Sequence, residues 1–303
     1  MTERRYSDPS ALRQALTDRL RLLVRQRPGA QMADLQRQFA YDRLLGRVFL
    51  TEPDAWVLKG ATALLARMHG SARHTVDIDL YRRFAGLDEA EVALRAAAAL
   101  DLGDFFRFEL SPGRRVAQGL ATLRVPVIAY LGATEFARFH VDLVTDLVMI
   151  GEPDEVAALV PFEIPGIDPV RYRAYPLADH AADKVCAFLE VHPRAVGTAQ
   201  PSTRYRDLAD LALIAHTQTI AADELRRALA SEVRRRGLAM PPRLPSPEAA
   251  GWRAGYARVA RDVPGLPERE LEAALGTVRR FLDPVLDGTA AGTWDPRDLT
   301  WSG

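Results

Sequence analysis

Apolar residues recur along this chain with two different periods, one typical of helices and one typical of strands. A helical period covers residues at about 8–27, 31–49, 61–68 and 87–101. Short runs rich in β-forming residues alternate with these helices, at 56–60, within 71–83, and at 105–110, 120–131 and 136–144. Strands that cluster after the first helices predict α+β packing for roughly the first 145 residues.

The pattern changes after the Pro- and Gly-containing stretch PFEIPGIDP at 161–169. Beyond it the period is helical, at about 177–190, 202–217, 220–236, 247–262 and 267–286. We therefore predict two domains, a mixed domain at 1–165 and a helical domain at 166–303. The last segment, TAAGTWDPRDLTWSG at 289–303, is expected to be a loosely ordered tail.

The strand stretch SARHTVDIDLYRR places two like charges on one strand face. Side chains alternate across a strand, so Asp77 and Asp79 share one face while Ile78 and Leu80 share the other. An isolated pair of this kind is more often a solvated face or an acid-guarded edge strand than a functional site. The choice between these interpretations depends on what surrounds the pair.

A third carboxylate occurs in FHVDLV, where Asp142 lies on the polar face of its strand. If this strand neighbours the one that carries Asp77 and Asp79, three carboxylates converge and repel one another. A bound Mg²⁺ or Mn²⁺ would relieve that repulsion, because hard cations select oxygen ligands. Gly60 precedes a helix whose N-terminal amide groups can bind a phosphate oxygen, and Thr62 adds a hydroxyl group.

Two charged residues of the helical domain point towards apolar helix faces. Lys184 lies at the edge of an apolar stripe, and Asp207 lies between apolar residues of the next helix. The alternatives are a site in a cleft or a structural ion pair between Asp207 and Lys184 or an arginine. Lys184 and Lys59 are the only two lysines in the sequence, and this singles out both positions.

Composition excludes some classes and leaves others open. The 303 residues carry no formal net charge, so a nucleic acid partner would have to be bound by local basic patches. A single cysteine excludes an intrachain disulfide, and no stretch reaches the roughly 18 apolar residues of a membrane helix. We therefore expect a cytoplasmic protein with no membrane partner. A basic rim beside the acids is predicted, from the candidates Arg82, Arg83, Arg114, Arg115, Arg234, Arg235, Arg236, Arg279 and Arg280.

Five motifs together resemble a known family. LKGATALL, RHTVDIDL, FHVDLV, ADKVCAFL and RYRDLADL occur in an order and spacing similar to those of the AbiEii/AbiGii toxin family of nucleotidyltransferases. The resemblance covers roughly residues 56–215. It implies a polymerase-β-like nucleotidyltransferase core joined to a helical domain that contributes Lys184 and Asp207 to a cleft between the two domains.

The resemblance also implies roles for individual residues. Asp77, Asp79 and Asp142 would be the catalytic carboxylates that hold the metal ion, and Lys184 and Asp207 would complete the catalytic set. The residues that it places at the nucleotide are Lys59, Gly60, Thr62, Arg73, Thr75 and Lys184. The implied reaction is Mg²⁺- or Mn²⁺-dependent transfer of a nucleoside monophosphate from a nucleoside triphosphate to an RNA acceptor. The family implies the tRNA 3′ end as acceptor and a cognate antitoxin as partner.

One residue departs from the family pattern, and three alternatives stay open. Ala61 stands where the family commonly has a second glycine, and its methyl group matters only if this position needs a positive φ. The alternatives are an antibiotic-type nucleotidyltransferase with a small-molecule acceptor, a glycosyltransferase that uses its D-x-D acids on a nucleotide sugar, and a noncatalytic interaction protein with structural ion pairs.

Overall fold

A computed structural model describes residues 6–27, 29–116, 122–145, 147–190, 192–193, 199–200, 204–247 and 251–303 of the chain. The chain divides into two compact units. The first contains Met1–Gly70, His74–Leu147 and Pro153–Ala174, and the second contains Ser71–Arg73, Val148–Glu152 and Tyr175–Gly303. The first unit thus continues beyond residue 165, and the short segment around Arg73 belongs to the second.

The first unit combines helices with a mixed sheet. Its helices are α1 (Pro9–Gln26), α2 (Met32–Thr51), α3 (Gly60–Met68) and α4 (Leu87–Ala98). Its strands are β1 (Trp56–Lys59), β2 (Asp77–Arg82), β3 (Phe106–Leu110), β4 (Arg114–Val116), β5 (Thr122–Leu131), β6 (Thr134–Val144), β7 (Asp154–Ala157) and β8 (Arg171–Ala174). Within the described residues these eight strands form one sheet, in the order β3-β5-β6-β2-β1-β8-β7, with β4 also paired to β5.

Strand β2 lies at the centre of the sheet in this order. It pairs with β6 in parallel and with β1 antiparallel, and β1 in turn pairs with β8 in parallel. The two parallel pairings join strands that are distant in sequence. Helix α2 packs against β6 and α4, and it is buried on all sides from Gln38 to Phe49. Even its Arg47 is completely buried, where the guanidinium donates to Asp104 and to the carbonyl oxygen of Phe106.

The second unit is built mainly from helices. They are α5 (Leu177–Leu189), α6 (Tyr205–Thr217), α7 (Ala222–Arg236), α8 (Trp252–Arg261) and α9 (Leu271–Leu286). Helix α6 is buried from Leu208 to Ala215, and it packs against α5, α8 and α9. Two short antiparallel strand pairs accompany the helices, formed by β9 (His192–Pro193) with β10 (Ala199–Gln200) and by β11 (Thr293–Asp295) with β12 (Thr300–Ser302).

The structure confirms the α+β fold class and corrects two details of the second unit. The unit is not entirely helical, and the final segment is not a loosely ordered tail. Trp294 of β11 is completely buried, and its indole N–H donates to the carbonyl oxygen of Ala215 at 2.7 Å. Trp301 of β12 stacks on Phe281 with ring centroids 5.8 Å apart. The burial of Trp294 and the stacking of Trp301 outweigh the Gly- and Pro-containing composition that suggested disorder.

No helix in the described part of the chain is both long enough and apolar enough to cross a membrane.

Candidate active site

The pairing of β2 with β6 brings the predicted acids onto neighbouring strands. In the parallel register Asp79 is the partner of Asp142, and Asp77 is the partner of His140. Ile78 and Leu80, which alternate with the two acids of β2, are completely buried on the other face. The condition set by the sequence, that the two acid-bearing strands be neighbours, is therefore met. The three carboxylates project from one face of the sheet.

Gly60 lies against the carboxylate of Asp79. Its φ of +59° falls in the left-handed region, and a Cβ atom added there would lie 1.8 Å from Oδ2 of Asp79. Only glycine fits this position, for both conformational and steric reasons. Gly60 is the first residue of α3, so the carboxylate of Asp79 lies close to the N-terminus of that helix. Ala61 is the second residue of α3 and does not have a positive φ, so its methyl group is accommodated without strain.

Two predicted nucleotide-binding threonines contact the backbone of Asp77. The hydroxyl group of Thr62 is buried and donates to the carbonyl oxygen of Asp77 at 2.7 Å. Thr75 Oγ1 accepts a hydrogen bond from the Asp77 amide at 3.3 Å. These bonds fix the strand at the first acid. Lys59, another predicted nucleotide-binding residue, is buried at the end of β1 and is the register partner of Asp79.

Arg124 of β5 forms a two-point ion pair with Asp142, and sequence analysis missed it. Nε donates to Oδ1 at 2.8 Å and Nη2 donates to Oδ2 at 2.6 Å. These hydrogen bonds, together with the charges of Asp142, Asp77 and Asp79, raise the pKa of the Arg124 guanidinium above its ordinary value. A signal was present in the alternation of LATLRVPV, which places Arg124 on the polar face of its strand.

The acids on this face fit a magnesium ion held by two carboxylates. Mg²⁺ is usually bound by one or two carboxylates together with water and substrate phosphate. Asp77 and Asp79 supply two carboxylates on one face of β2. Both oxygens of Asp142, in contrast, already accept hydrogen bonds from Arg124. Across the described ranges, no group of three or more His, Cys, Asp or Glu side chains is arranged to hold a metal ion.

The second unit contains a cluster of four charged side chains, of which Lys184 and Asp210 are buried and Arg73 and Asp207 are partly exposed. Lys184 Nζ donates to Asp210 at 2.6 Å and to Asp207 at 3.2 Å. Arg73 donates to both oxygens of Asp210, at 3.2 and 3.3 Å. Lys184 and Asp207 thus form the ion pair that was one of the two alternatives for them. Asp210 was missed: it follows Asp207 by one helical turn in RYRDLADL, and the structure buries it more deeply than Asp207.

The charges in this cluster stabilise one another. Burial acts to lower the pKa of Lys184, but Asp210 and Asp207 outweigh it, and the pKa is raised. Burial acts to raise the pKa of Asp210, but Lys184 and Arg73 outweigh it, and that pKa is lowered. Both groups are therefore ionised in the folded protein at neutral pH.

Several arginines of the predicted basic patches are neutralised by carboxylates. Arg82 pairs with Glu52 at 2.6 Å, and Arg115 pairs with Asp88 at 3.2 Å. In the second unit Arg236 pairs with Glu190 at 2.9 Å. Positive charge that is already paired contributes less to the attraction of a polyanion. The basic rim stays a prediction.

Comparison with known proteins places the chain in a family. The sequence model described as Nucleotidyl transferase AbiEii toxin, Type IV TA system, matches residues 43–281, which include every candidate site residue named above. A comparison with curated proteins gives no match. Among solved structures, an H. pylori protein provisionally assigned as a nucleotidyltransferase aligns with 86% of this chain and 98% of its own, at 16% identity and a TM-score of 0.47. Because the family match spans well over half of the chain, the protein belongs to the AbiEii family of nucleotidyl transferase toxins of type IV toxin–antitoxin systems.

Proposed function

We propose that this nucleotidyltransferase transfers a nucleoside monophosphate from a nucleoside triphosphate to the 3′ end of tRNA, in a reaction that depends on Mg²⁺ or Mn²⁺. The observation that carries the proposal is the position of the Asp79 carboxylate against Gly60, at the start of α3. An acid able to bind a divalent cation there adjoins backbone amide groups able to bind a phosphate oxygen. The tRNA acceptor, and the block of aminoacylation and growth, follow from the family resemblance.

In this proposal the carboxylates of β2 and the carboxylate of β6 have different roles. Asp77 and Asp79 would hold the metal ion, which when bound would supply positive charge to the triphosphate. Asp142 would help to activate the attacking acceptor hydroxyl group. Gly60 would let the carboxylate of Asp79 lie beside the start of α3, where the triphosphate would bind. A larger residue at this position would displace Asp79.

The remaining predicted residues are proposed to act in two ways. Thr62 and Thr75 would position Asp77 through its backbone, because that is where their hydroxyl groups bond. Lys184, Arg73 and Asp207, which the resemblance places at the nucleotide, form their own charged cluster in the second unit. Their part in nucleotide binding stays a prediction, as does that of Lys59.

The experiment is incubation of the protein with total tRNA and each of the four α-³²P-labelled nucleoside triphosphates, in Mg²⁺ or Mn²⁺. We expect labelled tRNA with at least one nucleotide, and sequencing of the 3′ ends should show the added residue. Asp77→Ala should abolish labelling with an unchanged melting temperature. Asp88→Asn is the matched control, since it changes an exposed acid of the same unit. Absence of labelled RNA under all of these conditions would contradict the proposal.

A small-molecule acceptor is the second candidate, and one observation favours it. The chain has no net charge, and several of its candidate basic residues are paired with its own carboxylates. Such a surface attracts RNA weakly unless unpaired basic residues are grouped. Labelling of an aminoglycoside, with no labelling of tRNA in the same preparation, would favour this candidate.

The family also implies a separately encoded antitoxin as partner. Expression of this protein alone should arrest growth of a bacterial host, whereas the Asp77→Ala variant should not. Co-expression of the cognate antitoxin should restore growth. Growth that is unaffected by the wild-type protein would count against the toxin role in that host.

A further inference from the structure

The ion pair between Arg124 and Asp142 has a well-defined geometry. Both strands that carry the pair are long, and their register places the two residues directly opposite each other. The side chain of Asp142 is 10% exposed, whereas that of Arg124 is 42% exposed. Parallel hydrogen bonds from a planar guanidinium to both carboxylate oxygens are the strongest and most directional form of this pair.

The pair changes the charge balance of the acid-bearing face. Without Arg124, Asp77, Asp79 and Asp142 would contribute three negative charges, enough to attract two divalent cations. Arg124 offsets one of these three negative charges, and its guanidinium lies against both oxygens of Asp142. A second divalent cation at Asp142 would therefore meet a like charge at short range.

The number of ligand atoms supports the same conclusion. Each oxygen of Asp142 accepts one hydrogen bond from Arg124, so neither oxygen offers its full set of lone pairs to a cation. Asp77 and Asp79 lie on β2, whereas the two-point ion pair of Arg124 is with Asp142 of β6. The metal-binding capacity of this face is thereby concentrated on β2.

We infer that Arg124 occupies the place of a second divalent cation at Asp142, so that the site binds a single divalent cation on Asp77 and Asp79. This inference rests on the proposed metal-dependent function. It makes Arg124 a positioning residue that fixes the carboxylate of Asp142 in the absence of a second metal ion.

The experiment counts Mn²⁺ ions bound to the full-length protein, by electron paramagnetic resonance of the free ion during titration with Mn²⁺ alone. We expect one ion per chain for the wild type. Arg124→Gln, which removes the positive charge, should bind two. Arg124→Lys, which keeps the charge but not the two-point geometry, should bind one at the tight site and bind a second more weakly than Arg124→Gln does.

Arg138→Gln is the matched control. Arg138 lies on β6 of the same sheet and forms a comparable two-point pair with Glu135, at 2.7 and 2.5 Å. This substitution removes one arginine and one ion pair at a distance from Asp77, Asp79 and Asp142. The number of Mn²⁺ ions bound per chain should therefore stay at one. Both glutamine variants replace arginines that are at least partly exposed, and their folding is checked by circular dichroism.

The outcomes separate this inference from the function on which it rests. Two ions bound by the wild type, or a single ion bound by a folded Arg124→Gln variant, would overturn the inference while leaving the metal-dependent function intact. No Mn²⁺ bound by the wild type, or binding unchanged by Asp77→Asn, would instead overturn the metal assignment itself, and the inference with it.

Discussion

Lys184 Nζ donates to Oδ2 of Asp210 at 2.6 Å, and both side chains are almost completely buried. A buried pair of this kind contributes little net stability compared with apolar residues, but removal of one partner leaves an uncompensated charge. Asp210 is the more connected partner, because Arg73 also donates to both of its oxygens. Substitution of Asp210 should therefore lower the free energy of unfolding more than substitution of Lys184.

We expect Asp210→Ala to lower the free energy of unfolding by about 3–5 kcal/mol, because it removes the shared partner of the buried Lys184 and the partly buried Arg73. Lys184→Met should cost less, since Asp210 keeps Arg73 and the methionine fills the apolar part of the space. Urea unfolding of both variants measures the difference. A larger loss for Lys184→Met than for Asp210→Ala would contradict this account of the cluster.

Gly60→Ala tests the close approach between α3 and Asp79. The new methyl group would lie 1.8 Å from Oδ2 of Asp79, so the carboxylate must move. A displacement of about 1 Å at a catalytic group can reduce the rate about 100-fold. We expect a loss of nucleotidyl transfer of that order, measured with the labelled nucleotide assay.

Gly237→Ala is the control for the backbone conformation at Gly60. Its φ of +65° is close to the +59° of Gly60, but no atom lies within 4 Å of the added Cβ. It should cost about 1–2 kcal/mol of stability through the left-handed conformation alone and leave the activity unchanged. Similar activity losses in the two variants would mean that the contact with Asp79 is not the cause.

We expect the stability of the protein to depend on pH because of Asp42. This carboxyl group is fully buried, and burial raises its pKa to about 6 despite hydrogen bonds from Tyr172 and from the amides of Leu159 and Val160. Because the folded pKa exceeds the unfolded value, the folded state binds more protons between about pH 4 and 6. The contribution of Asp42 to stability is therefore present at about pH 4 and is lost as the pH rises through 6.

The substitution Tyr172→Phe tests whether Asp42 causes this pH dependence. The tyrosine hydroxyl group donates to Asp42 and lowers its pKa, so its removal should raise the pKa further. The pH at which stability stops falling should then move above 6, as measured by urea unfolding at a series of pH values. An identical pH profile for the variant and the wild type would show that Asp42 is not the group responsible.

Trp294→Ala tests the packing of the C-terminal hairpin. The indole is completely buried and its ring centroid lies 5.0 Å from that of Phe281. Truncation of a buried aromatic residue of this kind typically costs 3–5 kcal/mol, and we expect a loss of about that size in the free energy of unfolding. Trp301→Ala should cost less, since Trp301 is partly exposed. A loss below about 1 kcal/mol for Trp294→Ala would support a loosely ordered tail after all.

The local pattern of the sequence determined the elements of this protein and the face on which each acid lies. Alternation identified β2, β5 and β6, and it placed Asp77, Asp79 and Asp142 on polar faces. Helical periodicity identified α5 and α6 and placed Lys184 and Asp207 near apolar faces. These inferences succeed because side-chain direction depends on the backbone period, which neighbouring residues set.

Only the tertiary structure decided which of these side chains meet. Alternation states the face of a residue but not its neighbouring strand or its register, so the pair of Arg124 with Asp142 was not visible in the sequence. Helical periodicity likewise could not show that Asp210, rather than Asp207, is the centre of the charged cluster. Partners distant in the chain are selected by packing and by the pairing of buried charges, and no local pattern records that choice.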